Sequence, residues 1–283
     1  MITPYVISLT SKKVKDEMQN RITTLFQRKD NPKVLSIFFT AGYPQLQDTA
    51  VILEALQDAG ADMVEIGIPF SDPIADGPTI QHSSEVALQN GMSLALLFEQ
   101  LQNIRERVSI PLLLMGYLNP VMQYGMESFC KKATEVSIDG VILPDLPIEE
   151  YVTSYKSLFE AHNLSNILLI TPQTADKRIE LIDEHTEGFI YVVSDNSTTG
   201  KVKQVSDIQE AYFQRIANKN LKNPLVIGFG IKDHESFSRA CQFAEGAIIG
   251  SAYIKTLEGS NNIAESTKSF VRNIKFGKSL KTA

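Results

Sequence analysis

From residue 33 onward, short apolar runs rich in β-branched residues alternate with longer stretches in which apolar positions recur every three or four residues. Eight runs read as strands: 34–39, 63–68, 111–115, 140–143, 167–170, 189–193, 225–228 and 247–249. Helical periodicity fills 48–59, 93–108, 126–136, 149–162, 176–184, 206–218, 233–243 and 264–275. Strands separated by helices must run parallel, because a parallel crossover needs about a dozen residues and follows a right-handed path. Eight such units close into a barrel. The competing architecture, an open doubly wound sheet, would carry G-x-G-x-x-G after its first strand, where this chain reads TAGYP. The pattern therefore predicts an α/β fold: a single (β/α)8 TIM barrel with an N-terminal helix and extra helices in the loops that follow the strands.

Composition bounds what such a barrel can do. The chain has 283 residues, 43% apolar and 21% charged, enough for one large core and too apolar for disorder. A net charge of −6 leaves no basic field for a nucleic-acid backbone. No apolar run approaches the roughly 18 residues that span a bilayer, so neither nucleic acid nor membrane is expected as a partner. Cys130 and Cys241 stand far apart without a CxxC motif, which fits a reducing cytoplasm. His82, His162, His185 and His234 are isolated, so no metal site is expected. Residues 1–17 read as a flexible extension rather than a secretory signal, and a better amphipathic helix opens at Met18. The expected organisation is an extension over 1–17 and one catalytic domain over 18–283.

In a barrel, every loop that follows a strand emerges on one face, where chemistry is placed. Those loops are polar and glycine-rich here: TAGYP, PFSDPIADGP, GYLNP, PDLP, TPQT, SDNSTTG, GFG and GSA. Within strand 63–68, the period of two sends Val64, Ile66 and Ile68 toward the helices and Met63, Glu65 and Gly67 into the barrel. A carboxylate there must be paired, or desolvation lifts its pKa into the range useful for proton transfer. No lysine occupies an inward strand position to pair with it. The next loop carries Asp72 and Asp76 among prolines that fix its direction. Asp76, before Gly77 and Pro78, suits a helix cap; held above the mouth near Glu65, it would instead supply a second carboxylate in a different environment.

Gly200, the pair Gly228 and Gly230, and Gly250 with Ser251 lie on loops that close the barrel, where unobstructed backbone N–H groups can hold a phosphate. Phe38, Ile80, Tyr117, Ile142, Ile170 and Phe229 could form an apolar, partly aromatic wall.

The stretch EIGIPFSDPIADGPTIQ, followed in order by MGYLNP, PDLP, the 194–200 loop, GFGI and IIGSA and preceded by TAGYP, resembles the tryptophan synthase alpha subunit family over nearly everything after Met18. The resemblance implies retro-aldol cleavage of indole-3-glycerol phosphate to indole and glyceraldehyde 3-phosphate, with no metal or organic cofactor in this chain. It implies that Glu65 and Asp76 are catalytic, that Gly200, Gly228, Gly230, Gly250 and Ser251 hold the phosphate, and that Tyr191 and Thr199 order the site. It further implies an α2β2 complex whose beta subunit carries pyridoxal phosphate and receives the indole, with Pro69, Asp72 and Asn119 facing that partner. The chain departs from the family at Ser197-Thr198-Thr199-Gly200, where many relatives read GVTG, and this bears on loop closure. Two alternatives stay open: another indole-glycerol-phosphate or phosphosugar barrel, and a silent barrel kept as an allosteric binding subunit.

Overall fold

The computed structural model describes residues 20–30, 33–194, 207–228 and 230–277, with the side chains of 207–209 excluded. The expected extension over 1–17 and the helix start at Met18 therefore lie outside the described residues. Helix α1 (Arg21–Phe26) begins at Asn20, whose side chain accepts the Ile22 N–H as an N-cap.

Parallel pairing organises the described residues into one sheet in the order β5-β4-β3-β2-β1-β9-β8-β7-β6. Its strands are β1 (Val34–Thr40), β2 (Met63–Gly67), β3 (Leu112–Met115), β4 (Gly140–Ile142), β5 (Ser165–Asn166), β6 (Leu168–Ile170), β7 (Ile190–Val193), β8 (Leu225–Gly228) and β9 (Gly246–Ile249). Where eight strands were expected, the fifth is divided at Ile167. Its first half pairs with β4 and its second with β7, so one short stretch of chain joins the two ends of a nearly closed barrel.

Every residue of β1 is buried. A parallel strand is covered on both faces, so outward Leu35, Ile37 and Phe39 lie under helices while Ser36, Phe38 and Thr40 fill the lumen. Outside the barrel, α2 (Asp48–Ala59) is packed against the closing helix α13 (Ile263–Phe276).

Two helical expectations are corrected. The stretch 93–108 is not one helix: α4 (Leu94–Gln100) stops before Asn103, whose left-handed φ of 60° breaks the ladder ahead of a 3-10 turn, Ile104–Glu106. The stretch 149–162 contains a π-helical turn, Tyr151–Tyr155, between α7 (Ile148–Glu150) and α8 (Lys156–Ala161). The extra helices expected in the loops are α3 (Pro78–Gln89), α5 (Leu118–Tyr124) and α12 (Ser251–Leu257).

The two ends of the barrel use acids differently. On the face where strands begin, Asp62 accepts the Leu35 N–H and the Lys275 ammonium, each at 2.9 Å. Asp139 likewise accepts the Leu112 N–H at 2.8 Å together with Arg105 and Arg21. These paired carboxylates stitch strands to helices. The acids at the opposite end are held quite differently.

Candidate active site

Glu65 sits mid-strand in β2 with an exposure of 0%. Its Cα stands in register with that of Phe38 on β1. Oε1 accepts a hydrogen bond from Ser36 Oγ at 2.9 Å, while Oε2 is buried and has no hydrogen-bond partner among the described residues. Burial pushes the pKa up from 4.5 to about 8, with the Ser36 hydrogen bond pulling it back; no cation contributes. At neutral pH this carboxyl is largely protonated, a proton donor already in place.

Asp76, on the loop after β2, is half-buried. Its Oδ2 accepts the Tyr117 hydroxyl at 3.0 Å, and that hydroxyl in turn accepts the Ala75 N–H at 3.0 Å. Tyr117 is fixed further by Phe70, their ring centroids 5.2 Å apart. Burial raises the pKa of Asp76 from 3.8 to about 6, and the Tyr117 hydrogen bond opposes that rise. At pH 7 Asp76 is mostly ionised while Glu65 is mostly neutral, so two carboxyl groups near one mouth are held in opposite protonation states. The capping expectation for Asp76 is corrected. Gly77 is the N-cap of α3, no side-chain cap bond forms, and Pro78 fills the first turn, where a missing N–H costs nothing.

Tyr191 rises from β7 on the far side of the barrel and is 3% exposed. Its pKa is raised first by burial, then by the negative charges of Glu65 and Asp76, so the phenol lies within electrostatic reach of both. Glycines make room for these rings. A Cβ on Gly228 would lie 2.2 Å from Tyr191 Oη, and one on Gly67 would lie 2.6 Å from Phe38 Cζ. Ile142 and Ile170 end β4 and β6, both fully buried, and Ile80 packs on the core from the first turn of α3.

Gly250 is the N-cap of α12 and Ser251 its first residue; the opening N–H groups of a helix lack partners within it. Gly230 has a left-handed φ of 75° and is exposed, beside the end of β8. Thr199, Gly200 and Phe229, with Ser197 and Thr198, lie outside the described residues. Of the three residues expected to face a partner, Asp72 and Asn119 are exposed, whereas Pro69 is buried within this chain and shapes the loop from inside.

Two features of this region carry little signal in the sequence. One is Ser36, whose only signal was a hydroxyl at an inward position of an otherwise apolar strand. The other is Ile74, 84% exposed at the tip of the loop between Asp72 and Asp76, an apolar side chain among prolines and acids. Among the described residues no group of histidine, cysteine and acidic side chains could hold a metal ion.

A parallel barrel with a desolvated, unpaired carboxyl in its lumen and an ionised one at its rim defines an acid–base barrel enzyme. The chain belongs to the tryptophan synthase alpha chain family, whose model matches residues 25–283. It is 56% identical to the tryptophan synthase alpha chain of Flavobacterium johnsoniae over 248 residues, covering 87% of this chain and 97% of that one. It is 55% identical to that of Flavobacterium psychrophilum, covering 90% and 99%. Among solved structures, the tryptophan synthase alpha chain of Legionella pneumophila superposes with a TM-score of 0.81 at 32% identity, covering 92% of this chain and 97% of that one. An aminoacrylate-bound tryptophan synthase from M. tuberculosis gives 0.79 at 26% identity, covering 92% and 99%.

Proposed function

We propose that this chain is the lyase subunit of tryptophan biosynthesis, cleaving indole-3-glycerol phosphate to indole and glyceraldehyde 3-phosphate and passing the indole to a beta subunit. The observation that carries this reading is the buried carboxyl of Glu65, neutral at pH 7 and with one oxygen unengaged. Retro-aldol cleavage needs a proton delivered to the ring carbon that departs and another removed from the side-chain hydroxyl that becomes the aldehyde. Glu65 Oε2 gives the first proton and, once ionised, takes the second, so the carboxyl ends as it began. Asp76, ionised, accepts the indole N–H and stabilises the positive charge that develops as the ring is protonated. Each role is typically worth about 10²- to 10⁴-fold in rate.

The phosphate belongs at Gly228, Gly230, Gly250 and Ser251, with Gly200 assigned to it by the family pattern alone; the opening N–H groups of α12, which lack partners within the helix, support this. Phe38, Ile80, Tyr117, Ile142, Ile170 and Tyr191 form the indole wall, and Phe229 and Thr199 keep the substrate-binding roles that the family pattern gives them. Pyridoxal phosphate is assigned to the partner, since both proton transfers lie within the reach of one carboxyl here. The partner surface comprises Asp72 and Asn119, with exposed Ile74 supplying apolar area beside them. The pathway sets the chain in the cytoplasm, consistent with two free, buried cysteines.

The test is indole release from indole-3-glycerol phosphate, with and without the beta chain, by the parent, Glu65→Gln and Asp76→Asn. The parent is expected to turn over and each variant to lose at least about 100-fold. A parent inactive even with its partner overturns the lyase reading and leaves the silent binding subunit.

A further inference from the structure

A carboxyl that both donates and accepts a proton works best when one oxygen is dedicated to the exchange. In the lumen the two oxygens of Glu65 are not equivalent. Oε1 lies 2.9 Å from Ser36 Oγ, and both residues are fully buried. Oε2, equally buried, has no partner among the described residues. Ser36 and Glu65 stand on adjacent strands, with Ser36 registered to Met63, so the hydroxyl approaches from two residue pairs deeper in the barrel than the Phe38–Glu65 pair. Access from the mouth is thereby left to Oε2. The inward hydroxyls of β1 are those of Ser36 and Thr40, and Thr40 is engaged elsewhere, 2.7 Å from Ser83 Oγ.

We propose that Ser36 is a positioning residue for the reaction: by donating to Oε1 it fixes the rotation of the Glu65 carboxyl and commits Oε2 to carrying the proton. This rests on the lyase reading above and specifies its central group. When Glu65 is neutral, the hydroxyl donates to the carbonyl oxygen and leaves the acidic proton on Oε2. When Glu65 is ionised, the same bond stabilises the carboxylate, and Oε2 is free to receive the hydroxyl proton of the substrate. No other movement is needed between the two halves of the reaction. Without the hydroxyl, the carboxyl can present either oxygen and its ionised form loses a hydrogen bond. The titratable groups facing this pair are Tyr191 from β7 and Asp76 from the loop after β2. Both stay in place when Ser36 is changed, so a displaced pH profile reports on the missing hydroxyl.

The experiment compares Ser36→Ala, Ser36→Thr and Glu65→Gln with the parent in the complex with the beta chain, following indole release across pH and recording the circular dichroism of each. Ser36→Ala is expected to fold, to lose about tenfold in kcat with KM within about twofold, and to move the Glu65 limb of the kcat profile to higher pH. Ser36→Thr, which keeps the hydroxyl, is expected to restore the limb. A folded Ser36→Ala with parental kcat and an unmoved limb overturns the proposal while Glu65→Gln remains dead. A Glu65→Gln that stays active overturns the lyase reading instead, whatever Ser36 does. A fall in Ser36→Ala accompanied by an unmoved limb and no recovery in Ser36→Thr means Ser36 only fills space, and also overturns the proposal.

Discussion

Replacing Glu65 by glutamine should make the protein more stable as well as inactive, and the pH dependence of that gain isolates the carboxyl. In the folded chain Glu65 ionises near pH 8, against an ordinary value of 4.5. At about 1.36 kcal/mol per pH unit, holding it ionised in the barrel is about 5 kcal/mol less favourable than in the unfolded chain. Because the folded pKa is the higher one, the folded state binds more protons between the two values. The stability linked to this group is fully present below pH 4.5 and is lost progressively until pH 8. At pH 7 the loss is about 3 kcal/mol. Glutamine cannot ionise, so Glu65→Gln escapes it. A buried amide leaves an N–H2 poorly satisfied and costs about 1–3 kcal/mol, but that penalty is independent of pH and drops out of the slope. Urea unfolding of parent and variant at half-unit steps from pH 5 to 8.5 measures the difference. The variant should gain on the parent by about 1.4 kcal/mol per unit up to pH 8 and level off above it. A flat difference over that range would refute the desolvated, unpaired carboxyl on which the chemistry rests.

Asp139→Ala removes the acceptor of Arg105, Arg21 and the Leu112 N–H while leaving the mouth untouched. It should lower unfolding free energy by about 3–5 kcal/mol in urea titrations, with kcat at low temperature unchanged. Tyr117→Phe withdraws the hydrogen bond that holds the Asp76 pKa down, so the carboxyl should titrate above its present value of about 6 when followed by 13C NMR. An unmoved resonance would show that the hydroxyl points elsewhere. Gly228→Ala drives a methyl to 2.2 Å from Tyr191 Oη and 2.4 Å from its Cζ. Overpacking should cost about 1–3 kcal/mol by thermal unfolding, recovered by adding Tyr191→Leu, whose side chain ends short of those atoms; no recovery would place the strain elsewhere.

The parts of this site that could be read along the chain are those whose physics is local. The parallel barrel is legible because strands covered on both faces must be mostly apolar, as β1 is apart from Ser36 and Thr40, and helices of about a dozen residues must separate them. Glu65 is legible for the complementary reason: at period two, a carboxylate between Val64 and Ile66 can point only inward, and no inward lysine was available to neutralise it. Asp76 was ambiguous because Asp-Gly-Pro before a helix suits a cap as well as a rim acid. What decides between them is Tyr117, forty-one positions away, which takes the carboxylate and leaves Gly77 as the N-cap. Ser36 is silent in the sequence for the same reason. A serine in a strand has no chemistry of its own, and it gains one only when the register of β1 on β2 sets its hydroxyl against an acid twenty-nine residues on. Likewise the break at Ile167 reflects no local signal in the chain; it falls where one strand must leave β4 and join β7 for the ring to close. Reactive groups announce themselves in a sequence by being out of place, whereas the groups that aim them look ordinary until the fold supplies the partner, and it is the aiming that the Ser36 and Tyr117 variants measure.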